Sequence, residues 1–278
     1  MSQYSSDQSN DVFFDYDGHW YVGRIAAQGP WMPEACHAGP PTAALARELE
    51  MHCSNTGIEK QLLRMTINLL RPIPMDGFCV SVTTEKEGRS AAYLRAEMHD
   101  RDGKLCAVVT SLHQALNDIG KVPTVSIPPP DLKVLQDYKS NGEQSDYARS
   151  MFPAVEGFAS SIDVVCADPS DDSGDDPHRT IWMRTPQLIA EEKMSPFQSI
   201  CPIADCGNGF TANAGIDSFR FMNTDLTISI HRLPSSQWLA SRALSHWGEL
   251  GYGAAFASLF DELGSIGMAA QTLLIQKV

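Results

Sequence analysis

Between residues 61 and 116, apolar and polar positions alternate in four runs, at 61–71, 78–85, 91–100 and 104–116. Turn residues separate the runs: Pro72 to Gly77, then Glu87 and Gly88, then Asp100 to Gly103. Period-two alternation with such short connections predicts neighbouring antiparallel strands. Ahead of them the period changes. Residues 39–53 (GPPTAALARELEMHC) carry proline near the start, then Ala44, Leu45, Leu49 and Met51 among polar residues, which predicts a helix. The same order returns later in the chain. A weaker helix is predicted at 196–207, followed by strands near 225–232, 238–247, 253–260 and 268–276, with Gly207, Gly209 and Gly215 making the segment after the helix irregular. Residues 117–154, with Pro123, Pro128, Pro129 and Pro130, read as a crossing linker with one short helix at 131–138. Residues 167–178 (ADPSDDSGDDPH) read as a solvated loop.

A single offset of 161 residues aligns Gly103 with Gly264, Asp100 with Asp261, Arg71 with Arg232, Thr66 with Thr227, Ile67 with Ile228 and Pro41 with Pro202. An ungapped repeat of this length implies one fold used twice. The expected organisation is an N-terminal domain at 12–118, a linker at 119–154 and a C-terminal domain at 155–278, within what a chain of 278 residues can bury.

Composition narrows the function by exclusion. The net charge of -13 repels phosphate backbones, so nucleic acid is not expected as a partner. An anionic ligand would need a local cluster of Lys and Arg assembled by folding, since the sequence has no basic run. Apolar stretches such as 105–116 are broken by Thr110, Ser111, His113 and Gln114, short of the ~20 residues of a membrane helix. Polar residues 1–10 show no secretory signal, which gives a cytoplasmic expectation. Seven scattered cysteines without CxxC pairs read as free thiols. No metal is expected: HExxH and HxH are absent, and the aspartates of 167–178 lack calcium-loop spacing. The nearest approach to GxSxG, GRSAA at 88–92, lacks the second glycine and falls in a hairpin, and neither GxG pair continues to a nucleotide-binding loop.

HAGPP at 37–41 leading into the Ala-rich helix, then LLRPIPMDG at 69–77, resemble the first half of thioesterases with two fused hotdog domains. NTDLTISIHRLPSSQW at 223–238, IADCGNG at 203–209 and MAAQTLLI at 268–275 resemble the second half of the acyl-CoA thioesterase family, in its TesB-like branch. The resemblance implies an α+β fold of two fused hotdog domains. Each would be a long helix packed on a curled antiparallel sheet, together forming an intrachain pseudo-dimer that needs no cofactor. It also implies hydrolysis of an acyl-CoA or similar acyl thioester, placed in lipid metabolism, by a water held at an Asp, a Thr or Ser, and a Gln. The matching positions are Asp205, Thr224 or Asn223, and Gln271. A pseudo-dimer can stay single or pair again as a homo-oligomer.

The residues support this reading from their own side. Asp205 stands where the offset puts Ala44, so one helix has gained a carboxylate that its twin lacks. Gln271, whose twin under the same offset is Thr110, is an amide in an apolar strand that must find partners. Alternation puts Thr224 on the face of Leu226, Ile228 and Ile230, which favours it over Asn223; Asn223 would need a bulge to reach the site. His37, Gly39 and Arg232 are taken as substrate contacts, although His37 also reads as a helix-entry residue, and paired arginines at equivalent strand ends, as Arg71 and Arg232 are, more often anchor loops or the inter-domain contact than bind substrate. Backbone N–H groups at the helix N-terminus are expected to hold the oxyanion. Two alternatives share the scaffold. A non-catalytic acyl-binding protein would have lost the hydroxyl, and a hydratase or dehydratase would want a His and an acid facing each other, for which His231 is the nearest histidine.

Overall fold

A computed structural model describes residues 12–142, 156–167, 177–215 and 217–278. The first half contributes β1 (Val12–Tyr16), β2 (Tyr21–Gly23), α1 (Gly39–Thr56), β3 (Gln61–Leu69), β4 (Phe78–Glu87), β5 (Ala91–Asp100) and β6 (Leu105–Gln114). The helix α2 (Leu132–Asn141) lies where the linker was expected to hold one. The second half begins with α3 (Phe158–Ser161), β7 (Asp163–Cys166), β8 (Arg179–Arg184) and β9 (Gln187–Ile189). It continues with α4 (Pro196–Asp205), α5 (Gly207–Phe210), β10 (Phe219–Asn223), β11 (Asp225–Ile230), β12 (Leu239–Trp247), β13 (Tyr252–Asp261) and β14 (Gly264–Lys277). Most of the acidic loop expected at 167–178 lies outside the described residues.

The two halves repeat one sheet order, β3-β6-β5-β4-β2-β1 and β11-β14-β13-β12-β8-β7. They join edge to edge where β3 pairs with β11, antiparallel, with Thr66 opposite Thr227. The two threonines are twins under the 161-residue offset, so a pseudo-two-fold axis passes between them, and their hydroxyls meet at 3.2 Å across it. One continuous sheet results, wrapped around two helices. Residues 39–47 of α1 are all buried, because α4 covers one side and the curled sheet covers much of the rest. The helix interior is therefore rich in alanine, which lets neighbouring backbones approach. Gly39 marks the tightest point: a Cβ there would stand 2.8 Å from Pro202 Cα.

Two details of register decide where side chains point. In β14 the offset between the halves changes from 161 to 160, because the turn from Asp261 to Gly264 is one residue shorter than that from Asp100 to Lys104. Thr227 therefore opposes Ala270 as Thr66 opposes Thr110, and the structural twin of Gln271 is the buried Ser111 rather than Thr110. The second detail is a bulge. Asn223 opposes Leu273 and Thr227 opposes Ala270, so Thr224 is one residue too many on its strand. The first half has the same bulge at Leu63, between Leu62 and Arg64. Each bulge reverses the alternation of faces at that point.

Candidate active site

Asp205 is the last residue of α4 and is 3% exposed. A buried carboxylate needs donors, and this one has them from three directions. Asn223 Nδ2 donates to Oδ1 at 2.7 Å. His37 Nδ1 stands 3.1 Å from Oδ2. The N–H of Gly39, in the first turn of α1, points at the pair, bonding the carboxylate and lying 3.2 Å from His37 Nδ1. Gln271 supports the arrangement from beneath: its Nε2 donates to the Asp205 carbonyl at 2.9 Å, and its Oε1 accepts from Asn208 N–H at 3.2 Å. Burial pushes the Asp205 carboxyl above its ordinary range, against the pull of His37, Asn223 and Gly39. Burial pushes the His37 imidazole down, against the pull of Asp205.

The cluster sits in the wall of a cavity of about 820 Å³. His37, Asp205, Asn208 and Asn223 face it from one side, and Trp31, Phe158, Phe210, Phe221 and Met222 supply much of its apolar lining. Both halves of the chain build it. The imidazole of His37 stacks on Phe158, with ring centroids 4.0 Å apart, which fixes its plane. No hydrogen bond among the described residues holds its Nε2.

Asp205, Asn223 and Gln271 are brought together as expected, and His37 joins them as a direct partner of the carboxylate. Thr224 is not part of this group. It is the bulged residue, exposed, and its hydroxyl donates to the Thr272 carbonyl at 3.3 Å. The bulge turns Asn223 inward in its place, the condition under which Asn223 was expected to reach the site. Gly39 does not line the cavity; it lets α1 and α4 touch, and only its N–H meets the site. Arg232 is also elsewhere. Its guanidinium grips Asp261 through two bonds of 2.7 Å and bonds the carbonyls of Gly264 and Ser265. His231 is likewise remote, exposed and near the Ser265 carbonyl. The amides expected at the N-terminus of α1 are missing, since Pro40 and Pro41 have none and Gly39 is engaged. Asn208 was not singled out from the sequence, where one polar residue among glycines gave no signal.

The sequence matches the family profile described as acyl-CoA thioesterase N-terminal domain over residues 27–114, and that described as acyl-CoA thioesterase C-terminal domain over residues 130–275. The chain belongs to the acyl-CoA thioesterase family. Solved structures of the family's fold align with nearly the whole of this thioesterase-family chain. A hot dog fold protein of unknown function from Alicyclobacillus acidocaldarius is 14% identical, with 97% of each chain covered and a TM-score of 0.69. A putative thioesterase from Novosphingobium aromaticivorans is 18% identical, covering 94% of this chain and 97% of its own, with a TM-score of 0.67. The acyl-CoA thioesterase II TesB2 from Mycobacterium marinum is 13% identical, with coverages of 98% and 97% and a TM-score of 0.64. At these identities the likeness shows the fold, a double hotdog. No curated sequence relative matches. Among the described residues no helix is long and apolar enough to cross a membrane.

Proposed function

We propose that this thioesterase-family protein hydrolyses an acyl-CoA, or a similar acyl thioester, to the free acid and the thiol. The observation that carries the proposal is the buried carboxylate of Asp205, held by side chains from both halves in the wall of an apolar cavity. An acyl chain is held by burial of its apolar surface, while the reacting carbonyl needs polar groups at one place only. That place is His37, Asp205, Asn208 and Asn223.

Both Asp205 oxygens are already engaged, so Asp205 acts on the water through His37. In the tautomer that carries its proton on Nδ1, donated to the carboxylate while the Gly39 N–H serves Asp205 alone, His37 presents an unprotonated Nε2 to the cavity, where it removes a proton from the attacking water. The water oxygen bonds to the acyl carbon, and charge moves to the carbonyl oxygen. That oxygen accepts from the second N–H of Asn223 and the Asn208 side-chain amide, which replace the helix amides that the prolines removed. Collapse breaks the C–S bond, and the imidazolium returns its proton to the leaving thiolate. Gln271 positions Asp205 without touching substrate.

The test is thiol release from a panel of acyl-CoAs by the wild type, Asp205→Asn and His37→Asn. Asparagine at 37 can still donate to Asp205 but carries no base, so turnover should fall about a hundredfold or more in both variants. Wild-type protein that folds and releases no thiol from any acyl-CoA would overturn the reading. The facing pair of His37 and Asp205 is also what a hydratase would use, so hydration of enoyl-CoA is the second activity to assay. Water added across the double bond with the thioester left intact would establish that alternative.

A further inference from the structure

The two arginines that the repeat pairs, Arg71 and Arg232, end in opposite situations. Arg232 is locked on Asp261, which is fully buried and also accepts from the N–H and hydroxyl of Ser235. In the first half the equivalent acid, Asp100, accepts the turn amides of Asp102 and Lys104. Pro74 stands at the position of Ser235 and supplies neither donor. Among the described residues no hydrogen bond or ion pair holds the Arg71 guanidinium. Arg71 is exposed and lines the cavity that contains the Asp205 cluster, and among the described residues it is the one Lys or Arg that does so. In a chain of net charge -13, an unpaired guanidinium at such a cavity is a local reversal of the surrounding field.

We propose that Arg71 is the phosphate-binding group of the site, receiving the phosphate of the phosphopantetheine arm that bears the thioester. The inference rests on the thioester reading above and adds the subsite that distinguishes phosphorylated from unphosphorylated substrates. A planar guanidinium with five donors suits two phosphate oxygens at once, and leaving it unpaired in the free protein spares the cost of breaking an internal ion pair on binding. The repeat thus uses one ancestral arginine twice: in the second half it holds a hairpin, and in the first it is released for ligand.

The experiment compares wild type, Arg71→Gln and Arg71→Lys with three substrates bearing the same acyl group: acyl-CoA, acyl-phosphopantetheine and acyl-pantetheine. Binding of the corresponding non-hydrolysable thioethers is measured by calorimetry in parallel. Arg71→Gln should weaken binding and raise KM about tenfold or more for the two phosphate-bearing ligands, the scale of a lost hydrogen bond to a charged group. It should leave the pantetheine ligand and kcat unchanged, and Arg71→Lys should recover part of the loss. An equal effect on acyl-pantetheine would make Arg71 a structural residue and overturn the proposal, as would no effect on any ligand. An effect on acyl-CoA alone would assign Arg71 to the nucleotide and overturn the phosphopantetheine subsite. Because binding is read separately from turnover, failure of the hydrolase reading would show as discrimination between thioethers without thiol release.

Discussion

Asp205 is costly to the fold and central to the site. Its carboxyl is pushed up by burial, so between the ordinary Asp value near 3.9 and its folded value the native state binds more protons than the unfolded one. Stability contributed by the protonated carboxyl is complete below the unfolded value and is lost as pH rises through the folded one. Asp205→Asn should therefore stabilise the protein at neutral pH, by about 1 kcal/mol in denaturant unfolding, while lowering turnover about a hundredfold or more. The gain should vanish below about pH 4, where both states carry the protonated acid. His37 has the opposite sign. Its imidazole is lowered by burial, so the acidic limb of kcat/KM should fall below the ordinary His value of about 6.5. Since Asp205 pulls that value up, the residual activity of Asp205→Asn should show the limb displaced to lower pH still.

Among the elements, the bulge at Thr224 decides which side chain serves the site. Thr224→Val should retain activity within about threefold, because the hydroxyl bonds the Thr272 carbonyl and not the Asp205 cluster. Asn223→Ala should lower kcat by about a hundredfold by removing a donor to Asp205 and a donor to the carbonyl oxygen. A steady-state comparison of the two variants in one assay checks both. Equal loss in the two would mean that the bulge slips in solution. The same bulge marks the limit of what alternation reveals. The periodicity gave α1, the eight strands β3 to β6 and β11 to β14, and the inward face of Leu226, Ile228 and Ile230, three residues that are buried as expected. It cannot register one extra residue, because an inserted residue leaves composition and spacing untouched and changes only the face. The short strands β1, β2, β7, β8, β9 and β10, of three to six residues, passed unseen for a related reason, as few alternations fit in so little chain. His37 was legible as a residue near the site, but its pairing with Asp205 depends on how α1 meets α4 across 168 positions of chain.

On the scale of the whole molecule, the pseudo-two-fold axis creates two equivalent junctions and the sequence equips one. The twins of Asp205, Asn223, Gln271 and His37 are Ala44, Leu62, Ser111 and Gln198. The second junction is filled instead by structural polar contacts. Arg47, the twin of Asn208, makes a bidentate pair with Glu192 at 2.7 Å, and Glu50 accepts from Ser195 and Gln198. Arg47 is buried whereas Glu192 is part-exposed, so removing the acid strands a guanidinium with little access to water. Glu192→Gln should lower stability by about 1–3 kcal/mol, discounted for the exposure of Glu192, and leave kcat unchanged. The complementary measurement is stoichiometry. A non-hydrolysable acyl thioether titrated into the protein should saturate at about one ligand per chain, since among the described residues only one junction sets a carboxylate paired with a histidine in the wall of the 820 Å³ cavity, while those of the other are engaged by Arg47, Ser195 and Gln198. Two equivalents with one affinity would mean that the second junction opens to ligand despite its ion pair. Two affinities, with Glu192→Gln strengthening the weaker, would identify that pair as the block.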